Sequence, residues 1–209
     1  MGTAERRQRE RERKEREIVE TARELFFEKG YLATTVDDIA ARLEVSKGSI
    51  YLRFSSKDEI YYAVARSGLE VFRDMLASAS ADGTGLERFT AMGRAYVEFW
   101  TSYPEHRRLF GESGLVSPPS TSGPQGLEFI RVGDEATALM VRAVNDGIED
   151  GSIRSGVSPE LLVFCASSAV EGVLSGMERR GAKMARLGKD REEVLTFLFD
   201  LFRDALRTP

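Results

Sequence analysis

The helix punctuation between Thr34 and Leu69 constrains this chain more than any other stretch. Val36, Ile39, Ala40 and Leu43 recur at i, i+3, i+4 and i+7, one apolar face of a short helix, and Thr35 stands where it can cap the first turn. Ser46 is placed to cap a second short helix that Ile50 and Phe54 hold inward, leaving Lys47, Ser49, Tyr51 and Arg53 pointing away from the core and Leu52 near the boundary. Ser56 with Glu59 reads as a capping box that opens a longer helix through Ile60, Tyr61, Val64, Gly68, Val71, Phe72 and Met75. Two short helices joined by a tight turn make a helix-turn-helix, whose second member fits the major groove of B-DNA.

Upstream, residues 5–17 hold seven basic and five acidic side chains and almost nothing apolar. Two readings stand open for this segment: a solvated, partly helical lead-in, or an arm whose Arg6, Arg7, Arg9 or Arg11 reaches phosphates or a minor groove. From about Arg16, Ile18, Ala22, Leu25 and Phe26 mark a core helix that ends at Lys29-Gly30. The expected division is a charged arm over 1–14, a helix-turn-helix domain over 15–60 and a helical domain over 61–209.

Residues 15–65, and above all GYLATTVDDIAARLEVSKGSIYLRFSSKDEIYYAV, resemble the N-terminal domain of the TetR family of bacterial transcriptional regulators. Apolar spacing, turn, Ser-Lys-Gly-Ser, Tyr51, Phe54 and Lys57 agree in order. The family commonly has a His or another aromatic among the two positions before Phe54, where this chain has Leu52 and Arg53; that bears on the operator sequence, not the docking mode. The resemblance implies an all-α protein that touches double-stranded DNA at Thr35, Lys47, Ser49, Tyr51 and Lys57, binds a small-molecule effector among its middle helices, and works as a homodimer on a palindrome.

Side-chain chemistry is consistent with those roles. Ser46 and Gly48 leave the second helix's N-terminus uncrowded for a phosphate, and Lys47 can reach a guanine edge or a phosphate. Ser49 is short enough to approach a base edge, and an outward Leu52 offers an apolar contact to a thymine methyl. Tyr51 is either a phosphate donor or a half-buried tyrosine, Arg53 a base reader or a phosphate clamp, and Lys57 adds its charge to the N-terminus of the next helix.

Charge has to be read locally. With 30 basic and 34 acidic residues the net charge is −4, and a pI near 5.3 argues against a general nucleic-acid coat, yet residues 46–57 carry Lys47, Arg53 and Lys57 with no acid. A single His, a single Cys and no Gly-rich phosphate loop leave an enzyme without a nucleophile and base or a metal cluster, so no activity, cofactor or metal is expected. The sequence has no run of 18 apolar residues, and its charged N-terminus is unlike a signal peptide, which predicts a cytoplasmic protein without membrane contact.

The remainder reads as helices with no period-2 strand. Gly111–Gly126 is a loop on composition, Ser158-Pro159 opens one late helix, and Asp190 with Glu193 caps the last. Candidate effector-pocket residues are Phe99, Trp100, Tyr103, Phe110, Met140, Val144 and Phe164, with His106 or Arg107 as a polar end, and Cys165 reads as a buried small hydrophobe. The last helix has two apolar stripes where a monomer needs one. With the small residues Gly172 and Gly176 on the helix before it, Leu195, Phe199, Phe202 and Leu206 become the expected dimer interface. A helical ligand-binding or scaffolding dimer that does not bind DNA is the competing expectation.

Overall fold

The computed structural model describes residues 3–79, 82–111, 114 and 116–207. Among them are nine α-helices and no strand: α1 Thr3–Lys29, α2 Val36–Arg42, α3 Lys47–Tyr51, α4 Lys57–Ala79, α5 Gly85–Ser102, α6 Pro104–Gly111, α7 Gly123–Glu149, α8 Pro159–Arg186 and α9 Arg191–Leu206. The expected loop over 111–126 is shorter than composition implies. Pro119–Thr121 forms a 3-10 turn and α7 starts at Gly123, while residues 112, 113 and 115 lie outside the described residues.

Two compact units emerge, Met1–Val71 with Tyr103–Gly133, and Phe72–Ser102 with Asp134–Pro209. In the first, Ile18, Ala22, Leu25 and Phe26 of α1 meet Val36 and Ile39 of α2, Ile50, Phe54, the start of α4 and Leu109 of α6. The first unit therefore continues past residue 60 and takes in α6. Tyr61 donates its hydroxyl to the Leu109 carbonyl at 2.8 Å and Tyr62 to the Ser117 carbonyl at 2.8 Å, joining these segments inside one core. His106, the chain's single histidine, is buried edge-on to Phe27 at 5.1 Å. It lies so close to Gly68 that a Cβ there would fall 2.0 Å from the imidazole Cδ2.

In the second unit Phe72 packs on Tyr96 and Phe99, and Gly85 lets α5 approach α7 until a Cβ would stand 2.0 Å from the Gly147 nitrogen. By length and composition α8 is apolar enough to cross a membrane. Its contacts are those of a packed amphipathic helix: Leu162, Val163, Val170 and Leu174 are buried, and Glu171 at mid-helix accepts a hydrogen bond from Tyr96.

Candidate nucleic-acid interface

Local capping sets the reading head. The Thr35 side chain accepts from the Asp38 amide at 3.1 Å while the Asp38 carboxylate accepts from the Thr35 amide at 2.7 Å, a reciprocal box opening α2. Lys29 bonds the same carboxylate at 2.9 Å, and these partners hold the Asp38 carboxyl below the usual range. At the other end of α2, the Val45 amide reaches the Ala40 carbonyl at 3.0 Å and the Glu44 amide the Ala41 carbonyl at 3.2 Å. This is a Schellman closure with Glu44 at φ 55, the left-handed conformation that glycine usually takes. Nothing in a glutamate signals that geometry, so the turn's location was legible but its conformation was not.

Ser46 caps α3, accepting from the Ser49 amide at 3.2 Å, and its hydroxyl lies 2.9 Å from that of Ser49. Ile50 is fully buried, which turns the opposite face outward: Tyr51 is 46% exposed and Leu52, the C-cap, 82%. Gly48 is open, with no atom nearer its Cβ position than the Ser46 hydroxyl at 3.8 Å. Lys47 pairs with Asp37 of α2 at 2.7 Å, an exposed contact that raises the lysine's pKa. Arg53 folds back, donating from Nη1 to the Ser49 carbonyl at 2.8 Å. Ser46, Lys47, Gly48, Ser49, Tyr51 and Leu52 thus share one surface, with Thr35 at the neighbouring helix start.

Residues 18–64 match the family of bacterial regulatory proteins called tetR. Over 185 residues the chain is 25% identical to the HTH-type transcriptional repressor DhaR of Mycobacterium sp. strain GP1, covering 88% of this chain and 89% of that protein. It is 28% identical over 155 residues to the HTH-type transcriptional regulator RutR of Escherichia coli K12, covering 72% and 69% respectively. Among solved structures, a TetR/AcrR-family transcriptional regulator from Thermobifida fusca superposes with a TM-score of 0.66 at 25% identity, covering 93% of this chain and 99% of that one. Residues 18–64 carry the N-terminal domain of that family.

Around this domain the structure gives several of the expected residues intramolecular partners. Lys57 is only partly exposed and turns toward backbone carbonyls. Its ammonium donates to the carbonyls of Tyr31 and Thr34, each at 2.9 Å, and sits 3.9 Å from the centre of the Tyr31 ring. Burial lowers its pKa. The segment it grips ends at Thr35, and Thr34 is itself buried, donating its hydroxyl to the Gly30 carbonyl at 2.8 Å. Lys57 therefore positions the start of α2. A lysine in a helix's first turn points to an anion by charge alone, and the competing backbone carbonyls come from residues more than twenty positions away.

The charged N-terminal segment is part of α1, helical from Thr3 and laced by Arg11–Glu15 at 2.9 Å and Arg13–Glu17 at 2.5 Å. A helix about 10–12 Å across is too wide to lie within a minor groove about 6 Å wide, so any DNA contact from this segment would be made by its arginine side chains.

The expected effector-pocket residues are spread over both units. Phe99 and Val144 are buried in packed surroundings, and Trp100 stacks on Phe99 at 5.7 Å. Tyr103, His106 and Phe110 belong to the first unit, whereas Phe164 is 70% exposed. Met140 lines a cavity among α5, α7, α8 and α9. Phe199, Phe202 and Leu206, expected at a dimer interface, line the same cavity, and Leu195 is buried beside them. This stripe of α9 faces inward because α5 meets it: a Cβ on Gly93 would stand 2.9 Å from the Phe199 ring. Gly176 is buried, Gly172 open, and Cys165 exposed rather than buried.

Proposed function

We propose that the protein is a cytoplasmic repressor that binds a palindromic operator as a homodimer and leaves it when a small, apolar effector binds. The supporting observation is the face of α3. A helix anchored through Ile50 presents Lys47, Ser49, Tyr51 and Leu52 together, with a phosphate donor, short polar groups and an apolar tip in reach of one major groove. Two such helices about 34 Å apart would read successive grooves, each half-site multiplying the selectivity of the other. Repression in the relative DhaR, and the regulator RutR, support the same direction.

The dimer face we assign is the outward stripe of the last two helices: Leu161, Phe164 and Gly172 on α8, with Phe197 at 64% and Leu201 at 52% exposure on α9. Large apolar groups gathered on two neighbouring helices are rarely left to water in a monomer, and a four-helix contact with a second copy would cover them.

Selection of bound duplexes from a random DNA pool tests the reading, with Tyr51→Ala alongside. A palindrome enriched by the wild type and lost with the variant is the expected result. No enrichment at low salt would assign the protein to helical ligand-binding dimers without DNA binding.

A further inference from the structure

Asp37 carries the wrong sign of charge for a surface that meets phosphates. It stands in the first turn of α2, but the cap of that helix is made by Thr35 and Asp38, and Lys29 takes up the Asp38 carboxylate. Asp37 instead spans the turn to α3 and accepts from the Lys47 ammonium at 2.7 Å, with both side chains exposed. An exposed ion pair adds little to folding. A carboxylate beside Lys47 also repels any phosphate brought to that face, so phosphate contact does not account for it either.

Neither partner is used up. The ammonium has two more protons and the carboxylate a second oxygen, and no other side-chain hydrogen bond engages them among the described residues. In the major groove a G·C pair offers the acceptors N7 and O6 on guanine and, beside them, the N4 donor of cytosine. O6 and N4 are hydrogen-bonded to each other within the base pair, so they stand about 2.9 Å apart. The Lys47 ammonium and the Asp37 oxygen have that spacing and the opposite polarity. When Lys47 donates to O6, with a further proton in reach of N7, the paired Asp37 lies beside N4 and accepts from it.

The order of groups decides among the other base pairs. A·T and C·G set a donor against the lysine and an acceptor against the carboxylate. T·A offers the right two central groups, but it puts a methyl where the lysine's second proton would find N7, and an adenine N7 lone pair against the carboxylate. We propose that Lys47 and Asp37 act together as one reader of a G·C pair in each half-site, with guanine on the lysine side. The assignment rests on the duplex-binding reading above and adds to it a base contact from α2.

The test repeats the duplex selection with Asp37→Ala, Lys47→Met and the double variant, whose net charge equals that of the wild type. Both positions are exposed, so all three variants should keep the helical circular dichroism of wild type. Wild type should enrich a palindrome with a fixed G·C pair in each half that the double variant leaves open, with the remaining positions and the salt slope unchanged. On that operator, exchanging the G·C pair for A·T should weaken wild type about 5- to 150-fold and the double variant hardly at all. Two modified bases separate the partners. Replacing guanine by 7-deazaguanine removes N7 and should weaken wild type but not Lys47→Met; N4-methylcytosine blocks the free N4 proton and should weaken wild type but not Asp37→Ala. The same letters at every position for wild type and double variant would overturn the pair as a reader while leaving a sequence-specific regulator. Tighter binding of every duplex alike by Asp37→Ala, with its base preferences intact, would reduce Asp37 to a repelling charge and overturn the pair as well. No enriched duplex with wild type would remove the regulator reading, and the base-pair assignment with it.

Discussion

The outward faces of α3 and α9 were set by different physics. On α3 a single buried residue, Ile50, fixes the rotation of a five-residue helix, and everything opposite it becomes surface. On α9 apolar residues lie on both sides, and the inward choice is made by a neighbour that α9 does not encode, the bare backbone of α5 at Gly93. A short helix with one anchor is readable from its own sequence. A helix that is apolar all round is readable only together with its partners.

The largest expected effects separate anchors from surface. Ile50→Ala should lower unfolding free energy by about 2–5 kcal/mol, since it leaves a void under α3, and urea titration measures it. Leu195→Glu should be as severe, about 3–5 kcal/mol, by burying an unpaired carboxylate. The same chemistry outside should be silent in the stability of the monomer: Phe164→Glu with Leu201→Glu, compared with wild type at dilutions where neither associates, should stay within about 0.5 kcal/mol of it. Sedimentation should instead show self-association weakened about a hundredfold or more by the opposed charges. A double variant that associates as before would remove α8 and α9 as the shared face.

Next in size is the contrast between two lysines that sequence treats alike. Lys57→Met removes the donor from two carbonyls and should cost about 1–3 kcal/mol of stability. Lys47→Met should leave stability within about 0.5 kcal/mol and reduce the salt slope of duplex binding by about 1. If Lys57→Met proves neutral in stability and shallow in salt slope, Lys57 is a phosphate contact after all.

These contrasts show how far the sequence could be read. The capped helices α2 and α3, the inward Ile50 and Phe54, and the all-helical plan follow from periods and caps within a few residues of each other. What stayed hidden was set at long sequence separation. His106 looked like a polar pocket end because it is a lone titratable group near aromatics, but Gly68, 38 positions earlier, supplies the gap that buries it. Phe199 and Phe202 read as interfacial from their stripe alone; in the fold both line a cavity, Phe199 against Gly93. Glycines mark such close approaches, and the sequence does not say what approaches.

The buried histidine makes a pH prediction of smaller size. Burial, then the nearby Arg23, lowers the His106 pKa below its usual 6.5, so the unfolded chain binds the proton first. Stability from this residue is complete above pH 6.5 and falls as pH drops through the lowered folded value. Thermal melts between pH 8 and about 5 should therefore show a decline in wild type that His106→Gln lacks. Equal slopes in the two proteins would mean the imidazole is reached by water.

The smallest effect concerns the turn that aims α3. Glu44 holds φ 55, which costs a residue with a Cβ about 1–2 kcal/mol, while glycine pays instead through a more flexible unfolded chain, about 0.5–1 kcal/mol. The balance favours Glu44→Gly by about 0.5 kcal/mol, seen as a small rise in Tm. Because the Schellman bonds from Val45 to Ala40 and from Glu44 to Ala41 involve backbone alone, the variant keeps the angle between α2 and α3. Losing a negative charge beside the reading helix should then tighten duplex binding slightly at low salt, and the gain should fade as salt rises. A fall in Tm would mean that the glutamate side chain, and not the backbone closure, holds the turn.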